Sequence, residues 1–172
     1  MKYFSVIKDK DIFENPAAEP LEYRERPTAK GLVFDKDRNI ALLFAAGHAL
    51  FPGGGVEKGE TFEEAFIREC KEEIGCDIEI ESVVGTALQY RGESFQKYVV
   101  TFFTSHIVGD KGRPTTIEEG ELLCELKWLN KGEVHKILKE QIETIPKSDY
   151  APQFNARTHL VAFEKWLNID KE

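Results

Sequence analysis

Glu69, Glu72 and Glu73 stand at i, i+3 and i+4 in the stretch EAFIRECKEEIGC, a spacing that puts three carboxylates on one side of a helix. At about 100° per residue, Glu69 and Glu73 fall in the arc that also holds Phe62 and Ala65, the face a helix turns toward a core. Two carboxylates about 5 Å apart repel by roughly 3 kcal/mol at an effective dielectric of about 20, so this face calls for a cation. Hard, all-oxygen ligation is the preference of Mg2+, Mn2+ or Ca2+, and Mg2+ usually shares its shell with water and substrate phosphate. The plainer reading is a solvated acidic face balanced by Arg68 and Lys71, with Arg68 pairing Glu72 four residues on.

The elements that must position these acids are written around them. Gly53, Gly54 and Gly55 precede the helix and permit close backbone approaches that a Cβ would block. Thr61 is a candidate N-cap, and Glu64 three residues later completes a capping box. Phe62, Ala65, Phe66, Cys70 and Ile74 recur at helical spacing, and Gly75 ends the run.

Gly54, Glu60, Arg68, Glu69, Glu72, Glu73 and Gly75 fit the pattern G-x5-E-x7-R-E-U-x-E-E-x-G-U, where U is a bulky aliphatic. This resembles the Nudix box; the two U positions carry Cys70 and Cys76, which pack as small hydrophobes. The resemblance implies an α/β fold, a Nudix-type α/β/α sandwich with a mixed sheet and a catalytic loop-helix motif. It implies a Mg2+-dependent hydrolase, Mn2+ being the alternative ion, that cleaves the diphosphate linkage of a nucleoside diphosphate derivative. By the same analogy the metal ligands are drawn from the Gly53 carbonyl, Glu60, Glu69, Glu72 and Glu73, while Arg68 orients the helix carboxylates. The general base is Glu72 or a later acid among Glu119, Glu121 and Glu125, with Glu121 favoured.

Arg91, with Tyr90 and Phe95, is the leading candidate for substrate contact; Phe51 is a further stacking candidate, and Arg24, Arg26, Lys30 and Lys97 are further phosphate candidates. Subfamily marks downstream of the box, a proline in ADP-ribose enzymes and a tyrosine in dinucleoside polyphosphate enzymes, are not met. A nucleoside triphosphate or related small nucleotide, oxidised forms included, is therefore the expected substrate. A nucleotide-sugar or dinucleoside polyphosphate is the alternative. A binding module without catalysis would be expected to lose box glutamates, and an isopentenyl diphosphate isomerase to add a His-rich site; neither is seen here.

Composition sets the frame. The 172 residues are 41% hydrophobic and 31% charged, which suits one domain with a substantial core over 1–172. The formal charge of −8 argues against broad binding to nucleic acid or anionic membrane, though a bound divalent ion reverses the local sign for a phosphate substrate. No apolar run reaches the roughly 18 residues needed to span a bilayer, and MKYFSVIKDKDIF lacks a signal-peptide core, so a cytoplasmic location is expected. Cys70, Cys76 and Cys124 have no zinc-type spacing and read as reduced thiols.

In chain order, residues 1–10 read as an edge strand and 11–27 as an irregular lead-in, a candidate dimer contact. Thr28–Phe34 and Asn39–Ala45 read as strands about a charged turn, Asp77–Leu88 and Lys97–Val108 as further strands, and Gln89–Gln96 as a loop between them. Leu126–Leu129 is a strand and Lys131–Ile142 a helix. Pro146 and Pro152 bracket a linker within the C-terminal segment 146–172, followed by a short helix from Thr158 to Leu167.

Overall fold

The structure is a computed structural model that describes residues 3–113 and 124–170. In chain order it contains β1 (Ser5–Lys8), a single 3-10 turn (Asp9–Asp11), β2 (Arg24–Phe34), β3 (Ile40–Ala45), β4 (His48–Leu50) and β5 (Gly53–Gly55). There follow α1 (Phe62–Ile74), β6 (Asp77–Arg91), β7 (Gln96–Val108), β8 (Glu125–Leu129), α2 (Lys131–Thr144) and α3 (Tyr150–Ile169).

The strands form one mixed sheet in the order β1-β6-β7-β2-β3-β4, with β5 on β2 and β8 on β3. Long β2 and β7 run parallel from Arg24↔Gln96 to Phe34↔His106, and β6 and β7 make an antiparallel hairpin. The expected pairing across the charged turn exists only at Phe34↔Ile40. Beyond it β3 leaves β2 for β8 and β4. Asp35 holds that turn: its Oδ1 accepts from the amides of Asp37 at 2.9 Å and Asn39 at 2.8 Å.

Two cores flank the sheet. On one face Phe66, Cys70 and Ile74 of α1 pack on Val33, Ala41 and Phe103; on the other, Val134 and Leu138 of α2 and Phe163 and Trp166 of α3 cover Leu32, Leu42 and Phe102. This is the expected α/β/α sandwich. The acids of α1 are therefore carried on a helix locked down by aromatic packing beside them, with Phe66 stacked on Phe103 at 5.4 Å between centroids.

Several boundaries differ from expectation, each for a local reason. The lead-in ends at Arg24, because the residues from Arg24 to Pro27 already pair with β7. Gln89, Tyr90 and Arg91 belong to β6 and not to a loop, so the connection shrinks to four residues, 92–95, with Phe95 at φ 54°. Pro152 does not bound a linker; it lies in the first turn of α3, where its missing N–H has no intrahelical partner to lose. The last helix thus starts at Tyr150 rather than Thr158. The acids Glu118, Glu119 and Glu121 fall outside the described residues.

Candidate active site

α1 begins as its sequence dictates. The Thr61 hydroxyl accepts from the Glu64 amide at 3.1 Å, while Glu64 Oε2 accepts from the Thr61 amide at 2.8 Å. Gly75 closes the helix in the left-handed region at φ 68°, which favours glycine. Between these ends Arg68 gathers the acids. Its Nε and Nη2 donate to the two oxygens of Glu60 at 2.8 and 3.1 Å. Its Nη1 donates to Glu69 at 2.9 Å and Glu72 at 3.1 Å, and Nη2 also reaches the Gly55 carbonyl at 3.0 Å.

The electrostatics separate the three acids. The Arg68 hydrogen bonds, helped by the Glu57 amide, hold the Glu60 carboxyl below its ordinary range. Burial pushes the Glu69 carboxyl up, outweighing the pull of Arg68; its side chain is 16% exposed, against 37% for Glu72. Arg68 itself is held more firmly protonated than a free guanidinium, chiefly by Glu60. Glu72 is the most water-accessible of the three.

Glu73 faces the loop. Its Oε2 accepts from the Gly53 amide at 2.7 Å, tying the last turn of the helix to β5. Gly53 stands at φ 124°, and a Cβ there would lie 2.1 Å from the Ala29 carbonyl oxygen. A Cβ on Gly54 would lie 2.4 Å from Glu69 Oε1. The glycines are thus the means by which the helix carboxylates sit against the loop. Lys30, on β2, donates to the carbonyls of Phe51 at 3.2 Å and of Gly53.

Four carboxylates (Glu60, Glu69, Glu72 and Glu73) therefore meet one guanidinium and one ammonium, with the Gly53 and Gly55 carbonyls beside them. Among the described residues no three such side chains already converge as a ready ligand cage, because Glu60, Glu69 and Glu72 are turned onto Arg68. The donor chemistry nonetheless fits a hard divalent ion: every donor is an oxygen, and the carboxylates exceed the cations by two.

Next to the cluster lies a cavity of about 210 Å3, lined in part by Gly54, Gly55, Lys30, Arg26 and Arg91. Of the expected substrate residues, Arg91 is brought here. It is 5% exposed, and burial lowers its pKa to about 10. Tyr90 is not brought here: it points to the other side of β6, edge-on to Tyr23 at 5.1 Å and under Lys8. Phe95 is exposed on the β6–β7 turn, and Phe51 is fully buried against His159. Lys97 pairs with Glu25, and Glu125 with Lys127 at 3.1 Å.

Sequence reading passed over Tyr98, Asn155 and His159, which also line the cavity. One signal was present: Arg26, Thr28 and Lys30 on β2, Gln89 and Arg91 on β6, and Tyr98 and Val100 on β7 each alternate with period two and share one face. Asn155 carries no such signal, since its helix is expected to start only at Thr158, and His159, inside that expected helix, shows no ligand spacing.

The NUDIX domain family matches residues 24–149. Over 105 residues the chain is 30% identical to an 8-oxo-dGTP diphosphatase of Proteus vulgaris, covering 56% of this chain and 91% of that one. Over 59 residues it is 44% identical to an ADP-ribose pyrophosphatase of Methanocaldococcus jannaschii, covering 31% of this chain and only 34% of that protein. The MutT protein of Methanosarcina mazei Go1 shares the fold with a TM-score of 0.61 at 20% identity, covering 89% of this chain and 100% of that one. With the box carboxylates seated between Arg68 and the glycine loop, and with matches of this extent, the chain belongs to the Nudix family and is a Nudix hydrolase.

Proposed function

We propose that this chain is a Mg2+-dependent pyrophosphohydrolase of small nucleotides, with nucleoside triphosphates, oxidised forms included, as its preferred class and Mn2+ as an alternative ion. The observation that carries the reading is the convergence of Glu60, Glu69 and Glu72 on Arg68, with Glu73 fixed to the Gly53 amide 2.7 Å away. Glu60, Glu69, Glu72, Glu73 and the Gly53 carbonyl are the residues that would hold the ion. When bound, it would neutralise phosphate oxygens and lower the pKa of a coordinated water.

The chain's own residues do the rest. Arg68 holds the carboxylates in place. Lys30 keeps the Gly53 carbonyl oriented and adds a positive charge beside the site. Glu72, the most exposed of the acids on Arg68, is suited to take the proton from the attacking water, and Glu121 is the other proposed base. The same reading takes residues 1–172 as one domain at work in the cytoplasm, with the lead-in as a candidate homodimer contact.

The test is a panel of nucleoside triphosphates, 8-oxo-dGTP, ADP-ribose and diadenosine tetraphosphate with Mg2+, scored for phosphate, pyrophosphate and monophosphate. Turnover of a triphosphate to monophosphate and pyrophosphate supports the reading. Turnover of ADP-ribose or diadenosine tetraphosphate alone would replace the substrate class, and no turnover of any member would overturn it.

A further inference from the structure

The cavity beside the carboxylate cluster is rich in donors. Arg91 is buried, yet among the described residues it makes no salt bridge. Its hydrogen bonds go to the uncharged oxygens of Gln89 and Asn155, at 2.9 Å from Nε and 2.7 Å from Nη2. Among the described residues its Nη1 makes no hydrogen bond, and no fully buried side-chain nitrogen or oxygen is left without a partner. That nitrogen therefore opens onto the cavity the guanidinium lines. Burying an ionised group without a paired counter-charge is costly; among the described residues Asp9 acts on Arg91 only across space, its carboxylate accepting from the Gly92 amide and the Tyr150 hydroxyl instead.

The neighbours repeat the pattern. Asn155 spends its oxygen on Arg91, which leaves its NH2 as donor. His159 Nδ1 accepts from the Phe51 amide at 3.1 Å, so the neutral ring carries its proton on Nε2. Lys30 and Arg26 add two more cations, and none of the described residues lining the cavity is acidic. The aromatic wall offers no clear face for a base: the Tyr98 ring has the Arg91 guanidinium 3.9 Å from its centroid and that of Arg26 at 5.8 Å. At about 210 Å3 the space is also below the roughly 300–1,000 Å3 of pockets that enclose a whole drug-sized ligand. It is sized for one group, and three cations with no acid in its described lining suit an acceptor-rich anion.

We infer that this cavity is an anion subsite, gripped by Arg91 with Arg26 and Lys30, that seats a phosphate group of the substrate beyond the diphosphate bond cut at the carboxylate cluster. Its place in catalysis rests on the hydrolase reading above, but its binding does not. A third phosphate of a chain and a phosphate on the sugar present the same chemistry to these donors.

The experiment is calorimetric titration of the full chain in EDTA at low salt with inorganic phosphate, linear tripolyphosphate, ribose 5-phosphate and guanosine. Wild type is expected to bind inorganic phosphate and not guanosine. Arg91→Gln is expected to weaken phosphate at least about tenfold, the equivalent of one charge-assisted hydrogen bond. Arg26→Gln, at an exposed position whose change leaves folding intact, is expected to weaken it severalfold. Glu73→Gln is expected to bind phosphate like wild type even where its turnover is gone, which separates this inference from the hydrolase reading. Stronger binding of tripolyphosphate points to a chain phosphate, and stronger binding of ribose 5-phosphate to a sugar phosphate; either supports the subsite. Phosphate affinity unchanged in both arginine variants, or guanosine binding with no phosphate binding, would overturn it.

Discussion

The triple glycine permits a graded test, because the same chemical change at three adjacent positions meets three different surroundings. A Cβ on Gly54 would lie 2.4 Å from Glu69 Oε1, 2.6 Å from its Cδ and 2.8 Å from Oε2, whereas ordinary contact begins at 3.4 Å. In Gly54→Ala the carboxylate must therefore retreat by about 1 Å, which lengthens its 2.9 Å bond to Arg68 out of hydrogen-bonding range. A charge-assisted bond is worth about 1.5–3 kcal/mol; because Glu69 keeps some solvent access, the expected loss of stability is about 1 kcal/mol. The cost to catalysis should be larger, since a misplacement of about 1 Å at a reacting centre costs on the order of 10²-fold.

Gly55→Ala meets nothing within 4 Å and should stay within about 0.5 kcal/mol of wild-type stability. Gly53→Ala combines φ 124° with a Cβ 2.1 Å from a backbone oxygen, and should fail to fold or lose several kcal/mol. Urea titration of the three variants, with turnover of Gly54→Ala beside wild type, reads all of this. Wild-type turnover in Gly54→Ala, or a Gly55→Ala as unstable as Gly53→Ala, would refute the seating of Glu69 against the loop.

Two further outcomes follow from individual contacts. Thr61→Ala removes the acceptor for the Glu64 amide and should lower stability by about 1 kcal/mol, seen as a lower urea midpoint at unchanged slope. Burial acts to raise the Asp35 carboxyl, but Lys111 at 2.7 Å and the Asn39 amide outweigh it, so its pKa is lowered on folding. Its contribution is then present above the ordinary aspartate range and lost as the pH falls through the depressed value. Asp35→Asn should flatten the acid limb of stability between pH 5 and 2, and an unchanged limb would contradict this.

The carboxylate motif is written locally and can be read from the chain, whereas the cavity beside it is assembled at long range and cannot. The capping box at Thr61, the stop at Gly75 and the acid spacing all lie within one short stretch, where helix geometry fixes what meets what. That Arg68 would grip Glu60 as well as Glu72 depends on the loop folding back, which spacing alone did not specify. Arg91 and Tyr90 show the limit. Neighbours in sequence, they point to opposite sides of β6 once the strand extends through them, so only one reaches the cavity. Pro152 misled because a proline reads as a break, yet the first turn of a helix tolerates it. Asn155 and His159 reach the cavity only through the packing of α3 on the sheet, a contact that no local pattern announces.

Whether the box glutamates hold the catalytic ion is decided by titrating Mn2+ into wild type and Glu73→Gln and following free Mn2+ by its paramagnetic resonance. Glutamine keeps an oxygen to accept the Gly53 amide, so the loop stays anchored and only the charge is lost. Folded Glu73→Gln, with a wild-type melting profile, is expected to bind Mn2+ at least about tenfold more weakly and to lose nearly all Mg2+-dependent turnover. Wild-type Mn2+ affinity together with near wild-type turnover in that folded variant would contradict a metal-holding role for these glutamates.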